Sequence, residues 1–146
     1  MTRNLVVGLP TILICLLLQA FFLGIVLRHY ARWKLRPKKL GDVALLSTVM
    51  LVVLMGNFAQ MSIWAMLFRL LGEFKDFETA LYFSGITFAT LGYGDIILSE
   101  RWRLLSALEA ANGILMFGVS TAALTGMIIE IIRSHAARHG KSNDTA

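Results

Sequence analysis

The residues best placed to do chemistry are Thr90-Leu91-Gly92-Tyr93-Gly94-Asp95, a polar, glycine-punctuated hexapeptide between two long apolar runs. Glycine accepts positive φ, so Gly92 and Gly94 on either side of Tyr93 let successive carbonyls turn toward a common axis. Asp95 adds a carboxylate, which raises the cation concentration around it. Glycine and aspartate are also ordinary turn residues, and Gly-Tyr-Gly-Asp alone reads equally well as a turn. Its place in the chain separates the two readings, because irregular backbone at membrane depth is tolerated only where it is buried in protein or lines a watery cavity. The sequence offers no nucleophile–base pair, no cluster of metal ligands and no phosphate-binding loop, so it reads as a protein without catalytic activity and without a cofactor.

The hexapeptide resembles the selectivity filter of potassium channels, and the resemblance extends over the stretch before it and both flanking apolar segments, about Val43 to Ile132. It implies that the carbonyls of Thr90, Leu91, Gly92 and Tyr93, with the Thr90 hydroxyl, replace the water shell of a potassium ion, Gly94 completing the strand. It also implies that Asp95 sits at the outer mouth. Leu91 stands where valine or isoleucine is more usual, yet offers the same backbone. Many members carry a carboxylate in the pore helix as partner to the mouth aspartate. By alignment Ile86 occupies that position here, which leaves Tyr82 as the expected donor to Asp95. One chain offers one filter strand and a filter needs a ring, so the resemblance implies a homotetramer for passive, selective K+ permeation, with K+ as the permeant ion. A weakly selective cation channel and a non-conducting accessory membrane subunit are the alternatives.

The elements that must position this segment follow from composition. The chain has 146 residues, 57% hydrophobic and only 16% charged, which describes an integral membrane protein with room for about three spans and little else. The expected fold is all-α: three transmembrane helices and one re-entrant pore helix, assembling as a tetrameric channel pore. Residues 1–27 form the first span, uncharged from Leu5 to Leu27, with Gly8, Pro10, Gly24 and Gln19 tolerable in lipid. A signal peptide would place its cations before the apolar region, whereas here Arg3 stands alone in front and the basic cluster follows. Regularly spaced arginines are missing from this span, so it is not a voltage sensor of the familiar kind. Cys15 reads as a small buried hydrophobe.

Residues 28–42 form a basic linker with Arg28, Arg32, Lys34, Arg36, Lys38 and Lys39, cytoplasmic by the positive-inside rule. The N-terminus is then outside the plasma membrane and the C-terminus cytoplasmic. The cluster reads as a topology determinant, as a contact for anionic lipid, or as a short interfacial helix ended by Pro37. The pore domain is expected over 43–132: outer helix 43–70, pore helix 77–89, filter 90–95 and inner helix 101–132, followed by a polar tail, 133–146, with His135 and His139. Asp42 and Ser99 are expected as caps of the long helices and Asp76 of the short one. Asn57 and Gln60 read as interhelical contacts. Ser84 and Thr87 are candidates to brace the filter from behind. Glu109, an ionisable group inside a span, either lines the ion path or lies behind the filter against the pore helix, and the second reading is preferred because it falls near the outer end. Gly113 is the candidate hinge, and Ile114, Phe117, Thr121 and Thr125 share one helical face that would line the cavity.

Overall fold

The computed structural model describes residues 1–33 and 39–143, and the side chains of residues 1–28, 30 and 42–134. The chain folds into four helices: α1 (Thr2–Trp33), α2 (Lys39–Leu70), α3 (Phe77–Phe88) and α4 (Arg103–Asn143). Three of them are long and apolar enough to cross a membrane, over Thr2–Arg28, Asp42–Leu70 and Arg103–Ser134. The 12 residues of α3 span only about 18 Å, roughly half of a bilayer core. The end of the bundle that carries α3 and the 71–102 segments is called the upper end below.

Several boundaries differ from the sequence expectation. The first helix runs past residue 27 to Trp33, so the start of the basic linker continues α1 rather than forming a separate interfacial helix. α2 begins at Lys39, which puts Asp42 inside the first turn, where its charge complements the helix dipole, and not at the cap. α3 ends at Phe88, one residue short of the expected 89. α4 starts at Arg103 and continues to Asn143, so most of the stretch expected as a polar tail is helical. The side chains of Arg32, Lys34, Arg36, Lys38, Lys39, His135 and His139 lie outside the described residues.

Lipid tails are as apolar as leucine, so packing and interhelical hydrogen bonds hold the helices together rather than hydrophobic exclusion. α1 lies against both α2 and α4. At the upper end Cys15, Trp64, Phe68, Phe83, Phe88, Leu105 and Met116 form one apolar cluster. The rings of Phe68, Phe74 and Phe83 meet in a triangle with centroids 5.2–6.4 Å apart. A second cluster at the lower end joins Val26, Leu45, Val49, Val53 and Met127. Between the two clusters runs a polar layer. Gln60 Nε2 donates to Gln19 Oε1 at 2.8 Å and Gln19 Nε2 donates to Ser120 Oγ at 3.2 Å, so one amide of α1 ties α2 to α4. Asn4 Nδ2 donates to the Arg101 carbonyl at 2.9 Å and fixes the start of α1 to the upper loop.

Two of the inner-helix glycines differ sharply in their surroundings. A Cβ at Gly113 would stand 1.9 Å from the Phe88 carbonyl oxygen and 2.8 Å from its carbon, whereas one at Gly118 meets nothing within 4 Å. Backbone cannot swing aside as a side chain would, so α4 approaches the end of α3 only because residue 113 lacks a side chain. Gly113→Ala is expected to cost at least about 2 kcal/mol by overpacking. Gly118→Ala is expected to be neutral or to gain up to about 1 kcal/mol from helix propensity. Thermal unfolding of the two variants in detergent checks this; equal melting temperatures would refute the close approach.

Candidate functional site

The 90–95 segment is held by the last turn of α3. A helix end leaves its final carbonyls unpaired, and here the following chain supplies the donors. Thr90 N–H bonds to the Thr87 carbonyl at 2.9 Å, and the N–H groups of Leu91 and Gly92 both reach the Ile86 carbonyl, at 2.8 and 3.3 Å. Positive φ then recurs at every second residue: Thr90 at 59°, Gly92 at 51° and Gly94 at 76°, with the non-glycine residues between them on the negative side. Such alternation of hand gathers the N–H groups on one side of the strand and the carbonyls on the other. Among the described residues none of the carbonyls of 90–94 accepts a hydrogen bond. Gly92 and Gly94 are legible in the sequence as residues free to adopt this hand. Thr90 is not: a β-branched residue at positive φ costs about 1–2 kcal/mol, and only the surrounding structure reveals it.

Two contacts brace the upper mouth. Tyr82 Oη donates to Asp95 Oδ2 at 2.7 Å, while Ile86, at the position where a carboxylate was sought, is buried apolar surface. The Asp95 carboxylate accepting this bond raises the Tyr82 phenol above its usual pKa. Asp76 caps α3, its Oδ2 accepting the Thr79 N–H at 2.7 Å, and the Thr79 hydroxyl and N–H beside it hold its carboxyl below the usual range. The second contact was not legible. Glu73 accepts from both the N–H and the hydroxyl of Ser99, each at 2.7 Å, which staples the turn after α2 to the loop before α4. Ser99 was expected to cap the inner helix. Its side chain is instead engaged by Glu73, and only its carbonyl serves the turn, accepting Trp102 N–H at 3.0 Å.

Behind α3 stands Glu109, fully buried on α4. The Ser84 hydroxyl bonds to Glu109 Oε1 and also lies 2.8 Å from the Met61 carbonyl of α2. The carboxyl therefore faces the back of α3, away from the open side of the 90–95 segment. Thr87, three residues along α3 from Ser84, is buried and contributes its carbonyl to Thr90. Asn112, one turn below Glu109, and Trp64 lie next to the Cys15 thiol, so α1 reaches this cluster. The sequence had placed the first helix outside the pore segment altogether. Ile114, Phe117, Thr121 and Thr125 are exposed on one face of α4, with the Phe117 ring edge-on to Phe88 at 5.6 Å. Gly113 sits above them under the end of α3. A Cβ at Gly85 would meet nothing within 4 Å among the described residues, so none of the described helices accounts for it.

Removing the Glu109 carboxyl leaves the Ser84 hydroxyl and a void in a buried cluster. Glu109→Ala is expected to cost about 3 kcal/mol, while Glu109→Gln, which keeps an oxygen toward Ser84, is expected to cost about 1 kcal/mol or less. Denaturant melts of the two variants separate these outcomes, and equal losses would count against the bond. The Tyr82–Asp95 contact carries its own pH dependence. The folded phenol has the higher pKa, so its contribution is complete below the ordinary tyrosine value near 10 and disappears as pH rises through the raised one. In Asp95→Asn the Tyr82 phenolate signal, taken as the absorbance difference from Tyr82→Phe, is expected to appear at lower pH than in the parent.

The described residues hold no group of three or more histidine, cysteine or acidic side chains able to bind a metal, and the carbonyls of 90–94 accept no hydrogen bond among them. A family model described as ion channel matches residues 46–130, more than half of the chain. Neither the curated proteins nor the solved structures yield a match. The matched stretch begins early in α2 and ends late in α4, so it takes in α3, the strained segment and both helices that hold them. The chain belongs to the ion-channel family built on the potassium-channel pore domain.

Proposed function

We propose that the chain forms a potassium-selective channel in the plasma membrane, four copies contributing one 90–95 segment each to a central filter. The observation that carries this reading is the alternation of φ along 90–94, with the N–H groups of Thr90, Leu91 and Gly92 bonded to the end of α3 and the carbonyls unpaired among the described residues. Carbonyls of Thr90, Leu91, Gly92 and Tyr93, with the Thr90 hydroxyl, then stand in for the water shell of K+, and entry and exit are balanced because no single site binds too tightly. Asp95 draws cations to the mouth, and the C-terminal dipole of α3 favours a cation below the filter. Ile114, Phe117, Thr121 and Thr125 line the cavity, and α4 bends about Gly113 where it leaves α3.

A ring of copies is supported by the apolar side chains that the single chain leaves uncovered beside the segment. Leu91 is 55%, Tyr93 66% and Ile97 77% exposed, and a second copy would cover them. The basic stretch from Arg28 to Lys39 orients the lower end toward the cytoplasm, next to anionic head groups, with the N-terminus outside.

The test is ion flux from liposomes holding only this purified protein, with potassium and sodium gradients compared, in the parent and in Gly92→Ala. Alanine at φ +51° costs about 1 kcal/mol per chain and turns the strand off the axis. Flux carried by potassium, much weaker for sodium and lost in the variant is expected. Equal potassium and sodium flux would identify a weakly selective cation channel, and no flux from an intact oligomer would identify an accessory subunit.

A further inference from the structure

The first helix lies outside the stretch that matches the ion-channel family, yet it supplies a buried polar contact to α4 below Gly113. Gln19 Nε2 donates to Ser120 Oγ at 3.2 Å while Gln19 Oε1 accepts from Gln60 Nε2 at 2.8 Å, and all three residues are buried. Within lipid no water stands by to replace a lost partner, so a state in which Ser120 leaves Gln19 strands an amide N–H. Above this bond Leu105 and Leu108 of α4 cover Gly8 of α1, and below it Met127 of α4 packs with Val26 of α1 and Val49 of α2. α1 therefore follows α4 from Leu105 to Met127. It is itself anchored, at its upper end by Asn4 on the Arg101 carbonyl and at mid-depth by Gln60 of α2.

The side of α4 on which α1 lies gives the contact a direction. Taking about 100° per residue, Leu105, Leu108, Ser120 and Met127 point roughly 155° away from Ile114, Phe117, Thr121 and Thr125. α1 thus stands behind α4, and the central axis of a ring of copies lies in front of it. Ser120 sits about two turns, roughly 10.5 Å, below Gly113, so a swing of about 15° toward the axis displaces it by about 2.7 Å. From a starting separation of 3.2 Å, that movement takes Ser120 out of hydrogen-bond range of Gln19. A swing in the opposite sense drives α4 into α1.

We propose that α1 is a brace for the lower half of α4, the Gln19–Ser120 bond holding that half away from the central axis and so favouring the wide form of the lower pore. The proposal takes the position of the axis from the channel reading above. It gives the first helix a task in conduction, set by one hydrogen bond per chain, although it contributes no residue to the 90–95 segment.

The width of the lower end can be read in the purified full-length oligomer from distances between nitroxide labels on Ile132→Cys, an exposed position near the end of the α4 span. Cys15 is fully buried and stays unlabelled. Potassium flux from liposomes is measured on the same preparations. Ser120→Ala removes the acceptor on α4 and leaves Gln19 bonded to Gln60, so the fold is kept. In this variant the population of shorter interlabel distances is expected to rise, and potassium flux to fall, by about fivefold, the factor for one hydrogen bond. Ser120→Thr keeps the hydroxyl and is expected to match the parent in both readouts. Unchanged or longer distances in Ser120→Ala would overturn the brace, and so would equal narrowing in Ser120→Thr, which would assign the effect to packing. A parent that passes no potassium, with narrowing confined to Ser120→Ala, would support the brace and count against the channel reading alone. A protein that forms no oligomer would overturn both, since it has no axis.

Discussion

A bilayer core offers no water to a peptide group, so every backbone donor and acceptor within it must find a partner in the protein or face an aqueous cavity. That constraint shapes the 90–95 segment and everything around it. Helices α1, α2 and α4 meet it by their own ladders. The chain after α3 cannot, since it is not helical. The N–H groups of Thr90, Leu91 and Gly92 are satisfied by the carbonyls that the end of α3 leaves over, at Ile86 and Thr87, while the segment's own carbonyls accept no hydrogen bond among the described residues. The two needs are complementary: a helix end short of donors meets a strand with donors to give. The left-handed residues Thr90, Gly92 and Gly94 are the conformational cost of that arrangement, and two of the three are the residue type that bears it most easily.

Holding α3 in place is then the task of the rest of the chain, and polar contacts do most of the directing. Apolar packing in lipid has little preference for one helix rotation over another, whereas a hydrogen bond specifies both partners. Gln19 between Gln60 and Ser120 sets the rotation of three helices at mid-depth. Ser84 between Met61 and Glu109 sets α3 against α2 and α4. Glu73 on Ser99 and Tyr82 on Asp95 close the upper end from two sides. The apolar clusters fill the space between these points, as the aromatic triangle of Phe68, Phe74 and Phe83 does beneath the turn after α2.

What could be read from the sequence was what obeys a local rule. Three apolar runs of sufficient length, a fourth too short to span, and glycines alternating around a tyrosine each have a direct physical meaning in a linear text. Asp76 as a cap and Tyr82 as the donor to Asp95 were reachable because their partners lie 3 and 13 residues away. The strain at Thr90, the Glu73–Ser99 staple 26 residues apart and the approach of Cys15 to Asn112 were not, because each depends on where distant segments come to rest. Ser99 shows the limit well. A serine just before a helix is a sound cap by local rule, but α4 starts only at Arg103, and Ser99 lies in the turn before it with its N–H and hydroxyl both donated to Glu73.

The position of Glu109 changes how the pore segment is coupled to the helix behind it. Ile86 leaves α3 without an acid of its own, and the buried carboxyl comes from α4 instead, through Ser84. Four residues further along α4, one helical turn, Gly113 lies under the Phe88 carbonyl, so a polar bond and a backbone contact in succession join the same two helices. Two such contacts on one face resist both sliding and rotation, since either motion that relieves the Gly113 contact displaces the Glu109 carboxyl from Ser84. The upper part of α4 and α3 therefore form one unit. Any bending of α4 must lie at or below Gly113, in the stretch where Gly118 and Gly126 have open space around them.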